Sequence, residues 1–298
     1  MIANTTPAHH ARRGQKPPKR WQIYYHPRVE QSEALADEMV SHLRGLNLEA
    51  EAVSVLDEAA VARLGEQDMV AMLGGDGTML RGGVMAAPFG VPVLGVNLGR
   101  LGFLPEVQPG EWKSVLARVL IGDYWVEERM MLRAEHHRGD QALEAYDVLN
   151  EAVVSRGALA RPVRLRTMID GDELTTYVAD GLIVSTATGS TAYALAVGGP
   201  ILPPELRNIL IVPIAPHLCI ERAIVLSHGA TLAIHVRTEH QAILSADGQV
   251  EVPLHDGDHV VVRMSPNVTR FARVQDPVYF YRNLNSRMTQ NPSASKAK

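Results

Sequence analysis

Gly74-Gly75-Asp76-Gly77-Thr78 sets one carboxylate among three glycines, after the apolar run Met69-Val70-Ala71-Met72-Leu73 and ahead of Met79-Leu80-Arg81. That order reads as a strand turning into a helix. Glycines at such a turn leave backbone N–H groups uncovered and let a ligand approach closely, which suits phosphate oxygens at a helix N-terminus. Gly74, Gly75, Gly77 and Thr78 are therefore candidate phosphate contacts. Asp76 is the residue that needs a reason. A carboxylate repels phosphate unless it faces a metal carried by the phosphates or takes a proton from an attacking hydroxyl, and both roles point to phosphoryl transfer. A glycine-bearing turn also occurs in doubly wound sheets with no such task. Two familiar alternatives are weak here, because no G-x-x-x-x-G-K-[ST] occurs and no G-x-G-x-x-G follows the first strand.

Three other stretches carry polar chemistry. Asn150-Glu151 interrupts an otherwise apolar run between Val148-Leu149 and Ala152-Val153-Val154. Such groups, if buried, need partners, and the ring nitrogens and ribose hydroxyls of a nucleoside would supply them; the alternative is a strand end facing water. Thr186-Ala187-Thr188-Gly189-Ser190-Thr191-Ala192-Tyr193 gathers hydroxyls and backbone donors at a helix start, where they could meet an adenine edge or a phosphate, or simply cap the helix. Residues 95–104 (GVNLGRLGFL) have the wrong spacing for a dinucleotide fingerprint and read as a tight loop packed through Leu101, Phe103 and Leu104. The histidines show no metal-ligand spacing, and Met79, Met85, Met130 and Met131 read as core filling.

The elements that must hold these residues follow from periodicity. Strand-like runs at 21–25, 53–55, 69–73 and 91–96 alternate with helical spacing through Ala34, Leu35, Met39, Leu43 and Leu46, a short helix near 59–64 and another to residue 87. This βαβαβαβ order predicts a Rossmann-like parallel sheet with ligands at the carboxyl ends of its strands. From about Val126 the period becomes two: Leu232, Ile234 and Val236, like Val163, Leu165, Thr167 and Ile169, alternate with outward residues. Asp170-Gly171, Asp247-Gly248 and Asp256-Gly257 read as hairpin turns, and a small-residue helix is expected near 192–197. The fold class is thus an α/β N-terminal domain followed by a mostly antiparallel β domain. Its divisions are a flexible basic tail (1–19, with His9, His10, Arg12 and Arg13), an α/β phosphate-binding domain (20–125), a β-rich domain (126–276), a segment returning to the first domain (277–290, helical from Tyr279) and a disordered end (291–298).

Composition bounds the rest. The chain has 298 residues, 46% of them hydrophobic, and a formal net charge of -4. That is enough apolar material for two cores, and it argues against a nucleic-acid partner held by a general basic field. No apolar stretch is long enough to cross a bilayer and no secretory core is visible. A single cysteine, Cys219, rules out an internal disulfide, reads as a small buried hydrophobe, and fits a cytoplasmic setting.

In this order, GGDGT at 74–78, the stretch 95–104, the NE pair at 150–151 and TGSTAY at 188–193 closely resemble the NAD kinases, over about residues 20–285. The GGDGT element alone is shared with diacylglycerol and sphingosine kinases and, more distantly, phosphofructokinases; TGSTAY and the NE pair add the specificity. The resemblance implies an active site between an α/β domain and a β-sandwich-like one, and transfer of the γ-phosphoryl group of ATP, or a terminal group of polyphosphate, to the 2′-hydroxyl of NAD with a divalent cation such as Mg²⁺. It implies that Asp76, beside Gly77, faces that hydroxyl and that Asn150 and Glu151 contact the nucleoside. Thr191, Ala192, Tyr193, Ala194, Leu195 and Ala196 would line the adenosine site, Asp180 would reach the nicotinamide end, and Arg81, Arg161 and Gln249 would add contacts. No side-chain metal site is implied, the cation arriving on the phosphates, and relatives form homodimers and homotetramers. Ala187 stands where proline is usual, and Val178 where many relatives place a basic residue. A lipid or sugar kinase with the same turn would need a greasy or membrane-facing groove and would have no adenosine for TGSTAY. A non-catalytic NAD(P) sensor would tolerate loss of Asp76 and of the glycines.

Overall fold

The computed structural model describes residues 15–29, 31–99, 102–159, 161–217, 219–282 and 284. Most of the basic tail, Arg100, Leu101 and the expected disordered end lie outside the described residues. The chain divides into two compact units, one running to Glu128 and resuming at Thr269, the other Arg129–Val268. The sequence division at 276 therefore differs from the structural one, which falls inside a strand.

The first unit opens with β1 (Arg20–Tyr25), α1 (Ser32–Gly45), β2 (Glu49–Ser54), α2 (Glu58–Val61), β3 (Met69–Gly74), α3 (Asp76–Ala86) and β4 (Val93–Asn97). The strands are parallel in the order β2-β1-β3-β4. β3 and β4 are buried at every position, as parallel strands covered by helices must be. α1 turns Ala36, Met39, Val40 and Leu43 inward at helical spacing. It stops where Asn47 takes a left-handed φ of 59°, while the Leu48 N–H returns to the Leu43 carbonyl and the Asn47 N–H to that of Arg44. One helix had no counterpart in the sequence reading: α4 (Trp112–Leu120) buries Trp112, Leu116 and Val119 against the same core.

β5 (Trp125–Arg138) carries the chain into the second unit. There follow β6 (Gln141–Val148), β7 (Glu151–Arg156), β8 (Val163–Ile169), β9 (Asp172–Ala179), β10 (Gly181–Ser185), α5 (Tyr193–Ala196), β11 (Asn208–Ile214), β12 (Ile224–Ser227), β13 (Leu232–Arg237), β14 (Ala242–Ala246), β15 (Val250–Leu254) and β16 (Asp258–Arg273). Within this unit β12-β11-β10-β7-β14-β15 form one antiparallel sheet, and β16, β13, β8 and β9 pair antiparallel beside the β5–β6 hairpin. Leu165, Leu232 and Ile234 from one layer share a core with Val154, Leu182, Val184 and Leu244 from the other, so the layers form a sandwich. The expected fold class, a parallel α/β unit and an antiparallel β unit, is what the chain adopts.

Two of the three Asp-Gly signals make hairpins. Asp170 and Gly171 (φ 52° and 95°) join β8 to β9, and Asp247 and Gly248 (φ 51° and 64°) join β14 to β15. Asp256-Gly257 does not: Gly257 has a φ of 85°, but β15 pairs with β14 and β16 with β13, so this turn changes sheets. An Asp-Gly pair encodes positive φ and leaves the partner strand open. Cys219 is half-buried and packs against the sandwich core. Residues 279–282 are helical, where the final helix is expected, and residues 285–288 of that expectation lie outside the described residues.

Candidate functional site

In the first unit, β3 delivers Asp76 directly. Gly75 caps α3, its carbonyl accepting from Thr78 and Met79 N–H, and Asp76 opens the first turn, where the helix dipole favours an acid. The glycines divide by role. A Cβ on Gly74 would lie 2.2 Å from Thr78 Oγ1, so Gly74 is required by packing, whereas a Cβ on Gly75 or Gly77 would meet nothing within 4 Å. Open space beside a helix start is what a phosphate group needs. Arg81 is exposed on α3.

Both oxygens of Asp76 are held. Phe103 N–H donates to Oδ2 and Leu104 N–H to Oδ1, each at 3.0 Å. A Cβ on Gly102 would fall 2.1 Å from Oδ1, so only glycine lets this loop close on the acid. The loop read as tightly packed buries Leu104 but also grips Asp76, a function that spacing alone does not reveal.

In the second unit, Leu149 and Asn150 form the bend between β6 and β7. Asp247, from the β14–β15 turn, accepts N–H bonds from Leu149 (2.8 Å), Asn150 (2.7 Å) and Glu151 (3.0 Å). The opposite side of the bend is held by the end of β10 and the residue after it: the Asn150 carbonyl accepts from Thr186 N–H and Ser185 Oγ–H, and the Leu149 carbonyl from Thr186 Oγ1–H at 2.6 Å. Gly189 sits so close that a Cβ would be 2.3 Å from the Asn150 oxygen. Ser190 Oγ ties the turn to Ala187 and Leu202, and Arg129 donates to Thr188 Oγ1. The structure thus brings together Asn150, Glu151 and the turn leading to Thr191.

Glu151 is 7% exposed, and its Oε2 is buried without a hydrogen-bond partner. Burial, reinforced by the charge of Asp247, pushes its carboxyl from 4.5 up to about 8. Burial also raises Asp247, against the three N–H groups that hold its charge. Glu151 therefore keeps its proton at neutral pH and presents both a donor and an acceptor.

The remaining candidates are distributed. Tyr193 is 44% exposed, whereas Ala194 is fully buried against Val153, Ile183, Leu210 and Val212, anchoring the segment. Thr191, Ala192 and Leu195 are half-buried and Ala196 is exposed. Asp180 pairs with Arg156 at 2.9 Å, Arg161 is exposed beside His240, and Gln249 occupies the same turn as Asp247. Asp247, Gly102 and the N–H groups of Phe103 and Leu104 are the additions over the sequence reading. Asp247 was visible there only as half of a turn signal.

The chain falls in the class of nucleotide-using phosphotransferases that act on an alcohol. The chain belongs to the ATP-NAD kinase family, whose N-terminal domain model matches residues 20–124 and whose C-terminal domain model matches residues 149–274. It is 44% identical over 224 residues to an NAD kinase of Chloroflexus aurantiacus, covering 75% of this chain and 81% of that one. Among solved structures, yeast NADH kinase complexed with NADH matches with a TM-score of 0.79 at 25% identity, over 94% of this chain and 91% of the other. An NAD kinase from Archaeoglobus fulgidus in complex with ATP matches with a TM-score of 0.72 at 26% identity, over 91% and 98%.

Proposed function

We propose that this chain phosphorylates the 2′-hydroxyl of the adenosine ribose of NAD, with Asp76 as the base. ATP-dependent phosphorylation of NAD is the activity of its family. The observation that carries the finer assignment is the geometry of Asp76: a carboxylate at an open turn, oriented by one N–H on each oxygen, retains lone pairs that can accept a hydroxyl proton. Positioning that hydroxyl in line with a phosphate seated against Gly75, Gly77 and Thr78 supplies most of the rate in a loose transition state.

Glu151, holding its proton, donates to a ring nitrogen or ribose oxygen, and Asn150 adds an amide beside it. Thr191, Ala192, Tyr193, Leu195 and Ala196 offer the adenosine surface. Asp180, Arg81, Arg161 and Gln249 remain outlying contacts on the strength of the resemblance. Oxygen donors such as Asp76 fit a hydrated magnesium ion, which keeps several waters and rides on substrate phosphates. When bound, it neutralises charge on those phosphates. The resemblance also supports polyphosphate as an alternative donor, a homodimer or homotetramer, and a cytoplasmic setting; among the described residues no helix is long and apolar enough to cross a membrane.

The test is Asp76→Asn, incubated with magnesium, NAD and either ATP or polyphosphate while NADP is measured. Turnover should fall at least about 100-fold with NAD still bound. Turnover near the parent's would end the assignment, and binding without turnover in the parent chain would instead indicate a sensor.

A further inference from the structure

Arg273, near the end of β16, is 1% exposed. Its Nε donates to Glu127 Oε2 at 2.8 Å, Nη1 lies 3.7 Å from Glu106 Oε2, and the guanidinium sits 4.8 and 5.3 Å from the ring centroids of Phe271 and Tyr279. Tyr279 donates its hydroxyl to Glu127. Removing one cation and two acids from water costs several kcal/mol per ion, and well-packed apolar residues often stabilise a core as well. Stability alone is a weak reason for the cluster.

What the guanidinium reaches is more telling. Arg273 Nη1 donates to the carbonyl of Leu104 at 2.7 Å, across 169 residues of sequence. Leu104 is the residue whose N–H holds Asp76 Oδ1. Its side chain is buried, its carbonyl is held by the arginine, and the proline that follows narrows the backbone conformations open to Leu104 itself, leaving the N–H little freedom to swing. Two residues on, Glu106 Oε1 accepts from the N–H groups of Val274 and Gln275, so the loop and the strand end are tied in both directions.

We propose that Arg273 is a positioning residue for Asp76, acting through the backbone of Leu104. This rests on the assignment of Asp76 as the base. Lysine at 273 keeps the charge but lacks the planar fork that serves Glu127 and the Leu104 carbonyl together. The test is a cycle on the full chain: Arg273→Lys, Gly102→Ala, which drives a methyl toward the same carboxylate, and the double variant. Each is assayed for kcat, both KM values and thermal midpoint.

Arg273→Lys should lower kcat about 10- to 100-fold while both KM values stay within about threefold. The double variant should lose little more kcat than the worse single one, because both act on one carboxylate, while losses in thermal midpoint add. A kcat within about twofold of the parent, a loss seated in KM, or kcat losses that multiply would overturn the proposal. If the lysine variant does not fold, Glu127→Gln, which weakens the pairing and leaves the guanidinium in place, replaces it in the same cycle with the same readings. Turnover in Asp76→Asn sinks the base assignment itself. An inactive Asp76→Asn beside multiplying losses sinks only the role of Arg273.

Discussion

Glu151→Gln isolates the proton held in the second unit. The ordinary glutamate value of 4.5 rises to about 8, through burial first and the Asp247 charge second. At about 1.4 kcal/mol per pH unit, that rise corresponds to roughly 5 kcal/mol as an upper bound. Electrostatic coupling of its titration to that of Asp247 brings the working figure to about 2–4 kcal/mol. The sign follows from which state holds the proton more firmly. A folded value above the unfolded one gives a contribution complete below about pH 4.5 and lost as the pH climbs through about 8. Glutamine keeps the shape and one donor but cannot ionise. The assay is urea unfolding of parent and variant between about pH 5 and pH 9, taken as a difference. Subtraction matters because burial holds His235 and His259 below the usual histidine range, so they tilt stability the opposite way, upward with pH until about 6.5. The variant should gain about 2–4 kcal/mol on the parent across the range, and its KM for NAD should stay flat where the parent's climbs above about pH 8. A difference constant to within about 0.5 kcal/mol would refute the reasoning.

Asp247→Ala orphans three buried N–H groups and should cost about 2–4 kcal/mol by chemical unfolding, with a higher KM for NAD than for ATP. A loss below about 0.5 kcal/mol would show that water replaces the carboxylate. Gly189→Ala places a methyl 2.3 Å from the Asn150 carbonyl and 2.4 Å from Ser185 Oγ, and should cost about 1–3 kcal/mol while raising KM for NAD. Unchanged affinity for NAD in that variant would detach the bend from the substrate.

The alternation of strands and helices was legible because each element repeats its own period: β3 is apolar throughout, and Leu232, Ile234 and Val236 all turn inward. GGDGT announced itself through chemistry, since an acid between glycines has few uses. What sequence could not show is who holds whom across distance. Asp247 reaches back 98 residues to Leu149, and Arg273 reaches 169 residues to Leu104. Neither residue stands out locally, one being half of a turn signal and the other one of three arginines in β16. α4 escaped for a simpler reason: Trp112, Leu116 and Val119 mark its buried face, but with nine residues and no side-chain cap its start carries no signal.

The two acids most tied to chemistry sit in opposite surroundings, and the backbone explains why. Asp76 lies half-exposed at a helix start with an N–H on each oxygen, an environment built to keep an acceptor. Glu151 has no such donor on Oε2, while its neighbour Asp247 has taken the three N–H groups that the bend offers. Two buried carboxylates that repel one another do not both stay charged, and the N–H groups favour the charge on Asp247, so the proton rests on Glu151. The consequence is directional. Supplying the corner with a second acceptor, or removing Asp247, should move the Glu151 proton, whereas changes to the glycine turn should leave it in place. The acceptor at Asp76 and the donor at Glu151 are therefore set independently, each by backbone N–H groups that no side-chain motif encodes.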